Sequence, residues 1–226
     1  MSAIPIYETF HTWQGEGVHM GRAAFFIRTF GCPIQCPWCD SAGTWHPDWV
    51  PASLDRPSVD HLVGLARDSH AEFVVITGGE PTIHDLGPLT STLHQVPLPV
   101  HLETTGSFPL RGEFSWVTLS PKWAKLPLVE NLQRADELKL IVEDETSIAR
   151  WWDKIGSSIR ARHVWLHPEW SQRHNPSVLR SISDWVKKNA GPFRAGYQLH
   201  RLYNVDSLDP SARPSIPLGG NPALGH

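Results

Sequence analysis

Short apolar runs alternate along this chain with amphipathic stretches, and the runs stop at glycine, proline or polar residues. Ala23-Ala24-Phe25-Phe26-Ile27-Arg28-Thr29-Phe30 is compact and rich in aromatics, which predicts a buried strand. Further strands are predicted at Phe73-Val74-Val75-Ile76-Thr77, Val100 to Thr104, Trp116 to Ser120, Glu137 to Val142 and His163 to His167, with Gly196 to His200 as a last short one. Between them, Ser58 reads as an N-cap for a helix from Val59 to about Ser69, with Leu62, Val63, Leu65 and Ala66 on its apolar side. Other helical stretches run from Asp85 through Leu93, from about Glu145 to Ile155 and from Val178 to Asn189. Strands and helices mostly alternate, as parallel βα units do. About six strands are too few for a closed eight-stranded barrel, so the expectation is an α/β fold forming a partial, open (β/α)6 barrel.

The loops carry the punctuation. Thr12-Trp13-Gln14-Gly15-Glu16-Gly17 has glycines spaced for a tight loop, either an ordinary turn or one that offers its backbone to a ligand. A proline-rich loop covers Trp45 to Pro57. With 226 residues the chain suffices for one core, expected over 1–206, followed by a Pro/Gly-rich tail over 207–226. A net charge of −3 with interspersed signs lacks the basic footprint of a nucleic-acid binder. No apolar run reaches membrane-span length, and Met1 to Pro5 does not resemble a signal peptide, so a cytoplasmic protein is expected.

All three cysteines lie in Gly31-Cys32-Pro33-Ile34-Gln35-Cys36-Pro37-Trp38-Cys39-Asp40, spaced C-x3-C-x2-C. Three thiolates on one loop suit three corners of an iron–sulfur cube and leave the fourth iron open to a small molecule. The same cysteines with His11, His19 or His46 would also make a structural zinc site. A disulfide framework is disfavoured by the odd count and the chain length. The loop leaves from the end of a predicted strand, and other polar or glycine-bearing turns do the same: Thr77-Gly78-Gly79-Glu80-Pro81, Glu103-Thr104-Thr105-Gly106, Ser120-Pro121-Lys122 and His167-Pro168. Parallel strands would bring these turns to one rim, where ligands of such folds gather. There the double glycine admits close backbone approach, Glu80 suits an ammonium group, and Lys122 suits a carboxylate or ribose oxygen.

The cysteine spacing, with an aromatic before the last cysteine, resembles the radical S-adenosylmethionine (SAM) superfamily, and Gly78-Gly79-Glu80-Pro81 resembles its motif for the SAM amino group. Within it, the chain from about residue 6 to 206 looks like the 7-carboxy-7-deazaguanine synthase family. The supporting stretches are Thr12 to Gly17, Phe26-Ile27-Arg28, Trp38-Cys39-Asp40, Ile76 to Thr82, Glu103 to Gly106, Ser120-Pro121-Lys122 and Gln198-Leu199-His200. This resemblance implies contraction of 6-carboxy-5,6,7,8-tetrahydropterin to 7-carboxy-7-deazaguanine with release of ammonia, on the route to 7-deazapurines. It implies a [4Fe-4S] cluster on Cys32, Cys36 and Cys39, with SAM along Trp38, Cys39, Asp40, Gly79, Ser120, Pro121, Lys122 and His167. The pterin would rest on Trp13, Gln14, Gly15, Arg28 and Thr77, with Glu16 nearby. Arg28 would meet the substrate carboxylate as a fork, although from its own position a strand-end ion pair is equally consistent.

The family's Mg²⁺-binding threonine is here Ser41, which keeps the hydroxyl without the methyl. Some members end near the position of Leu202 to Asp206, whereas this chain runs to His226. A flavodoxin- or ferredoxin-type reductant and a homodimer are implied as well. A different radical-SAM enzyme, such as a glycyl-radical activase acting on a protein partner, and a non-catalytic zinc or cluster module are the competing readings.

Overall fold

The computed structural model describes residues 4–205 and 208–213. Eight strands form one sheet in sequence order: β1 (Ile6–Trp13), β2 (Ala23–Thr29), β3 (Phe73–Gly78), β4 (Val100–Thr104), β5 (Trp116–Leu119), β6 (Glu137–Val142), β7 (His163–Pro168) and β8 (Phe193–Ala195). From β2 to β8 every pairing is parallel, and β1 joins β2 antiparallel. No ladder joins β8 back to β1 among the described residues, so the barrel is open. The helices are α1 (Val59–Asp68), α2 (Gly87–Leu93), α3 (Val129–Arg134), α4 (Ser147–Ile155), α5 (Pro176–Asn189) and α6 (Leu199–Leu202).

The expected α/β open barrel is present, with corrections. Eight strands replace about six. β1 occupies residues read only as the approach to a loop; its β-forming residues Tyr7, Thr9, Phe10 and Thr12 carry the signal. The expected strand at 196–200 is displaced: β8 is Phe193–Ala195, and Leu199–Leu202 is a helical turn. α3 was not expected, because six residues with only Asn131 and Leu132 buried display no helical period. α5 starts earlier than its apolar spacing suggests, at Pro176, since Asn175 caps it by accepting from Ser177 N at 3.0 Å. Of the expected tail, only residues 208–213 lie among those described. There Asp209 accepts from His11 N at 3.1 Å and Arg213 N donates to Glu8 at 2.5 Å, which lays this stretch against β1.

Strand alternation sorts the side chains. On β2, Phe25 and Ile27 face outward onto α1 and α2, packing with Leu62, Ala66, Ile76, Leu89 and Leu102. Fully burying each such side chain is worth about 1.5–3 kcal/mol. A second outer cluster joins Leu138, Leu140, Val164 and Leu166 to Ile148, Trp151 and Ile182 of α4 and α5. Phe26 and Arg28, on the other face of β2, line the interior.

The amino-terminal end of the barrel is filled by the loop after β1. Val18 N donates to buried Glu137 at 2.9 Å, as do Thr118 Oγ1 at 2.8 Å and Trp165 Nε1 at 3.0 Å. A Cβ at Gly17 would lie 2.4 Å from a Glu137 oxygen, and its φ is +73°, so both space and backbone require glycine there. The rings of His19, Phe73, His101 and Trp116 complete this floor. With that end closed, the interior opens at the carboxyl ends of the strands. No helix among the described residues is long and apolar enough to cross a membrane.

Candidate active site

One cavity of about 250 Å³ lies at the carboxyl ends of the strands. It is lined by Trp13, Gln14, Gly15, Arg28, Cys32, Cys36, Trp38, Cys39, Asp40, Ser41, Thr77, Gly79, Ser120 and Lys122, which brings together almost all residues singled out from the sequence. Pro121 and His167 are not in the lining among the described residues. His167 is wholly buried, and burial lowers its pKa to about 4 despite Glu16 nearby, so it is neutral at neutral pH.

The cysteine loop is held from both sides. Gly31 N donates to Thr44 O, and Glu80 N donates to Gly31 O, both at 2.9 Å; Cys39 N closes a turn onto Cys36 O at 3.2 Å. All three thiols are unbridged. Burial pushes the Cys36 thiol up to about 11, with neighbouring Cys39 and Cys32 adding to the rise and Lys122 opposing it; burial likewise raises Cys32. Thiols that close together resist ionising as a group, and a bound cation would reverse that. Among the described residues, no three Cys, His, Asp or Glu side chains gather around a single metal ion. A cube does not require that, because each thiolate takes its own iron. The three unbridged thiols all line the cavity, so each is available to an iron of its own.

Lys122 Nζ donates to Ser120 O at 2.8 Å and to Ser120 Oγ at 2.7 Å, and sits 5.3 Å above the Trp38 ring. Burial lowers its pKa. Trp38 Nε1 donates to Glu143. Gly79 passes so close to the cysteine loop that a Cβ would meet Gly31 O at 2.4 Å and Cys32 Cβ at 2.7 Å. Glu80 corrects the sequence reading. Its side chain is fully buried and accepts from Thr82 N, Thr82 Oγ1, Thr104 Oγ1, Thr105 N and Thr105 Oγ1 at 2.5–3.0 Å. It ties the turns after β3 and β4 together, and is not presented to an ammonium group.

A second array crosses the cavity wall. Gln14 Nε2 donates to Glu103 Oε1 at 2.7 Å, and Gln14 Oε1 accepts from Gly15 N at 2.8 Å. Lys139 Nζ bridges Glu103 at 3.0 Å and Glu16 at 2.5 Å. Burial alone would raise Glu16 and lower Lys139; their mutual attraction, joined by Glu103, wins and drives both shifts the other way. Arg28 donates through Nε to Glu8 at 2.7 Å, the ion pair allowed for from the sequence, while still lining the cavity. Leu199 N donates to Gly15 O at 3.1 Å, which brings His200 to the wall. Lys139 was missed in the sequence. Its signal was the alternation of Glu137 and Lys139 with Leu138 and Leu140, which puts polar groups on the face turned away from the helices.

An open parallel barrel with three free thiols on the loop after its first parallel strand is the architecture that the radical-SAM resemblance implies. No family model matches the chain. It is 50% identical over 208 residues to 7-carboxy-7-deazaguanine synthase of Synechocystis sp., covering 90% of this chain and 94% of that protein. With the enzyme of the same name from Flavobacterium psychrophilum the identity is 35% over 202 residues, covering 89% and 92%. The crystal structure of QueE from Escherichia coli superimposes with a TM-score of 0.74 at 32% identity, covering 87% of this chain and 94% of that one. The chain belongs to the 7-carboxy-7-deazaguanine synthase family.

Proposed function

We propose that this cavity contracts 6-carboxy-5,6,7,8-tetrahydropterin to 7-carboxy-7-deazaguanine with release of ammonia, in 7-deazapurine biosynthesis. The observation that carries the reading is that the three thiols and the Gln14–Glu103–Lys139–Glu16 array open on the same cavity, in a chain of this family. Cys32, Cys36 and Cys39 hold a [4Fe-4S] cluster, and the chain has no fourth cysteine to complete it. When bound, the cluster and SAM supply a 5′-deoxyadenosyl radical able to take hydrogen from the pterin.

The remaining work falls to side chains. Lys122, anchored on Ser120, offers positive charge to a SAM carboxylate or ribose oxygen, and Trp38 gives it an aromatic wall. Gly79 presents backbone where a side chain would not fit. Arg28, steadied through Nε by Glu8, meets the pterin carboxylate. Lys139 stays protonated and Glu16 ionised around neutral pH, so this pair orients loop 14–16 rather than exchanging protons. Ser41, which lines the cavity, would offer its hydroxyl oxygen to Mg²⁺, a cation that favours oxygen ligands. A flavodoxin- or ferredoxin-type reductant, a homodimer and a cytoplasmic setting complete the proposal.

The test is an anaerobic assay with carboxylated pterin, SAM and reductant, read by mass spectrometry. Arg28→Lys should impair pterin use far more than SAM cleavage. Absence of the deazaguanine product from fully reconstituted protein would sink the reading.

A further inference from the structure

Trp45 lies outside the motifs that define the site, six residues beyond Cys39. A 3-10 turn over Ala42–Thr44 folds the chain back there. Trp45 N donates to Ala42 O at 3.0 Å, and Thr44 Oγ1 donates to Ser41 O at 2.7 Å. The carbonyl of Thr44 in turn receives Gly31 N, so the turn is fastened to the start of the cysteine loop. The His46 ring packs edge-on to the indole at 5.3 Å. So placed, the indole Nε1–H donates to Cys39 Sγ at 3.4 Å, while the Ser41 hydroxyl lies at 3.7 Å from the same sulfur.

We propose that Trp45 raises the reduction potential of the cluster by donating this hydrogen bond to the Cys39 thiolate. The inference rests on the reading that Cys32, Cys36 and Cys39 hold a [4Fe-4S] cluster. One electron, from the external reductant, takes the cluster from its 2+ to its 1+ state, and no bond to carbon is made or broken. The added negative charge spreads over the iron, sulfide and cysteine sulfur atoms. An N–H dipole aimed at one of those sulfurs stabilises the reduced state more than the oxidised one. Trp45 is therefore a positioning residue that eases electron uptake without touching substrate. Its opposite would be a space-filling indole that only keeps water away. The two roles differ in sign, because water reaching the cluster stabilises the more charged reduced form and raises the potential, whereas loss of the N–H lowers it.

The experiment compares reconstituted wild type, Trp45→Phe, and protein carrying 3-benzothienylalanine at position 45, which keeps the indole shape and lacks the N–H. Iron and sulfide are counted first; wild type that takes up no four-iron cluster overturns the cluster reading itself. With clusters present, a potentiometric titration followed by electron paramagnetic resonance gives the midpoint. About a tenfold fall in the reduction equilibrium constant, or about 59 mV for one electron, is expected in both replacements. Pulsed resonance in D₂O should also lose one exchangeable proton coupled to the reduced cluster. Should Trp45→Phe fail to hold its cluster, the benzothienyl protein decides alone. A midpoint that is unchanged or higher there, with cluster content intact, overturns the proposal.

Discussion

Removing the Lys139 ammonium tests the charged array in the cavity wall. In Lys139→Met the stem keeps most of its volume, but Glu16 and Glu103 lose the charge between them. The Lys139 side chain is 8% exposed, Glu16 12% and Glu103 22%, so solvent screens little of the loss. Breaking a buried pair from one side costs about 3–5 kcal/mol, and the Gln14 amide still bonded to Glu103 favours the lower end. The pH dependence has a definite sign. In wild type the folded pKa of Glu16 is depressed, so its contribution is present above the unfolded value of about 4.3 and is lost as pH falls through the folded value. Without Lys139, burial dominates and raises that pKa. The contribution then exists below about 4.3 and disappears as pH rises. The gap between wild type and variant should accordingly widen from pH 4 to pH 7. Urea unfolding of the cluster-free proteins at both pH values measures it through the midpoints at a common slope. Adding Glu16→Gln should recover at least half of the loss in a double-mutant cycle. A deficit below about 1 kcal/mol at pH 7, or one equal at the two pH values, would refute the reasoning.

Three further outcomes are expected. Glu80→Gln places an amide among donors that now meet a carboxylate, and should lower stability by about 2 kcal/mol, seen in a thermal melt of the cluster-free protein. Gly79→Ala must displace the Gly31 carbonyl, so iron uptake on reconstitution should fall well below that of wild type while the far-ultraviolet circular dichroism stays unchanged. Burial holds His101 near a pKa of about 3 and His167 near 4; because these folded values lie below the unfolded one of about 6.5, stability should fall as pH drops from 6.5 toward 4. His101→Phe, packed against Phe73 in the same floor, should flatten that fall in a pH series of urea midpoints.

Local pattern accounts for much of this protein. The mainly apolar runs at 23–30, 73–77, 100–104, 116–120, 137–142 and 163–167 all became parallel strands, because each must turn apolar side chains onto the outer helices. The cysteine spacing and the glycines at strand ends were equally legible, since loop geometry depends on the residues within the loop. What escaped was whatever depends on partners far along the chain. β1 has no helix beside it to announce it, and it exists by pairing with β2. Glu80 read as a ligand for an ammonium group, but closing β3 against β4 brought threonine hydroxyls and backbone N–H groups around it first. Lys139 went unread because the Glu103 and Glu16 that the fold sets beside it lie 36 and 123 positions away. By itself the sequence determined six of the eight strands and where the cysteine-bearing and glycine-bearing loops turn. Only the tertiary structure decided which charges neutralise one another and which face open space, because a buried charge takes its state from neighbours within a few ångströms, and chain order says nothing about who those neighbours are.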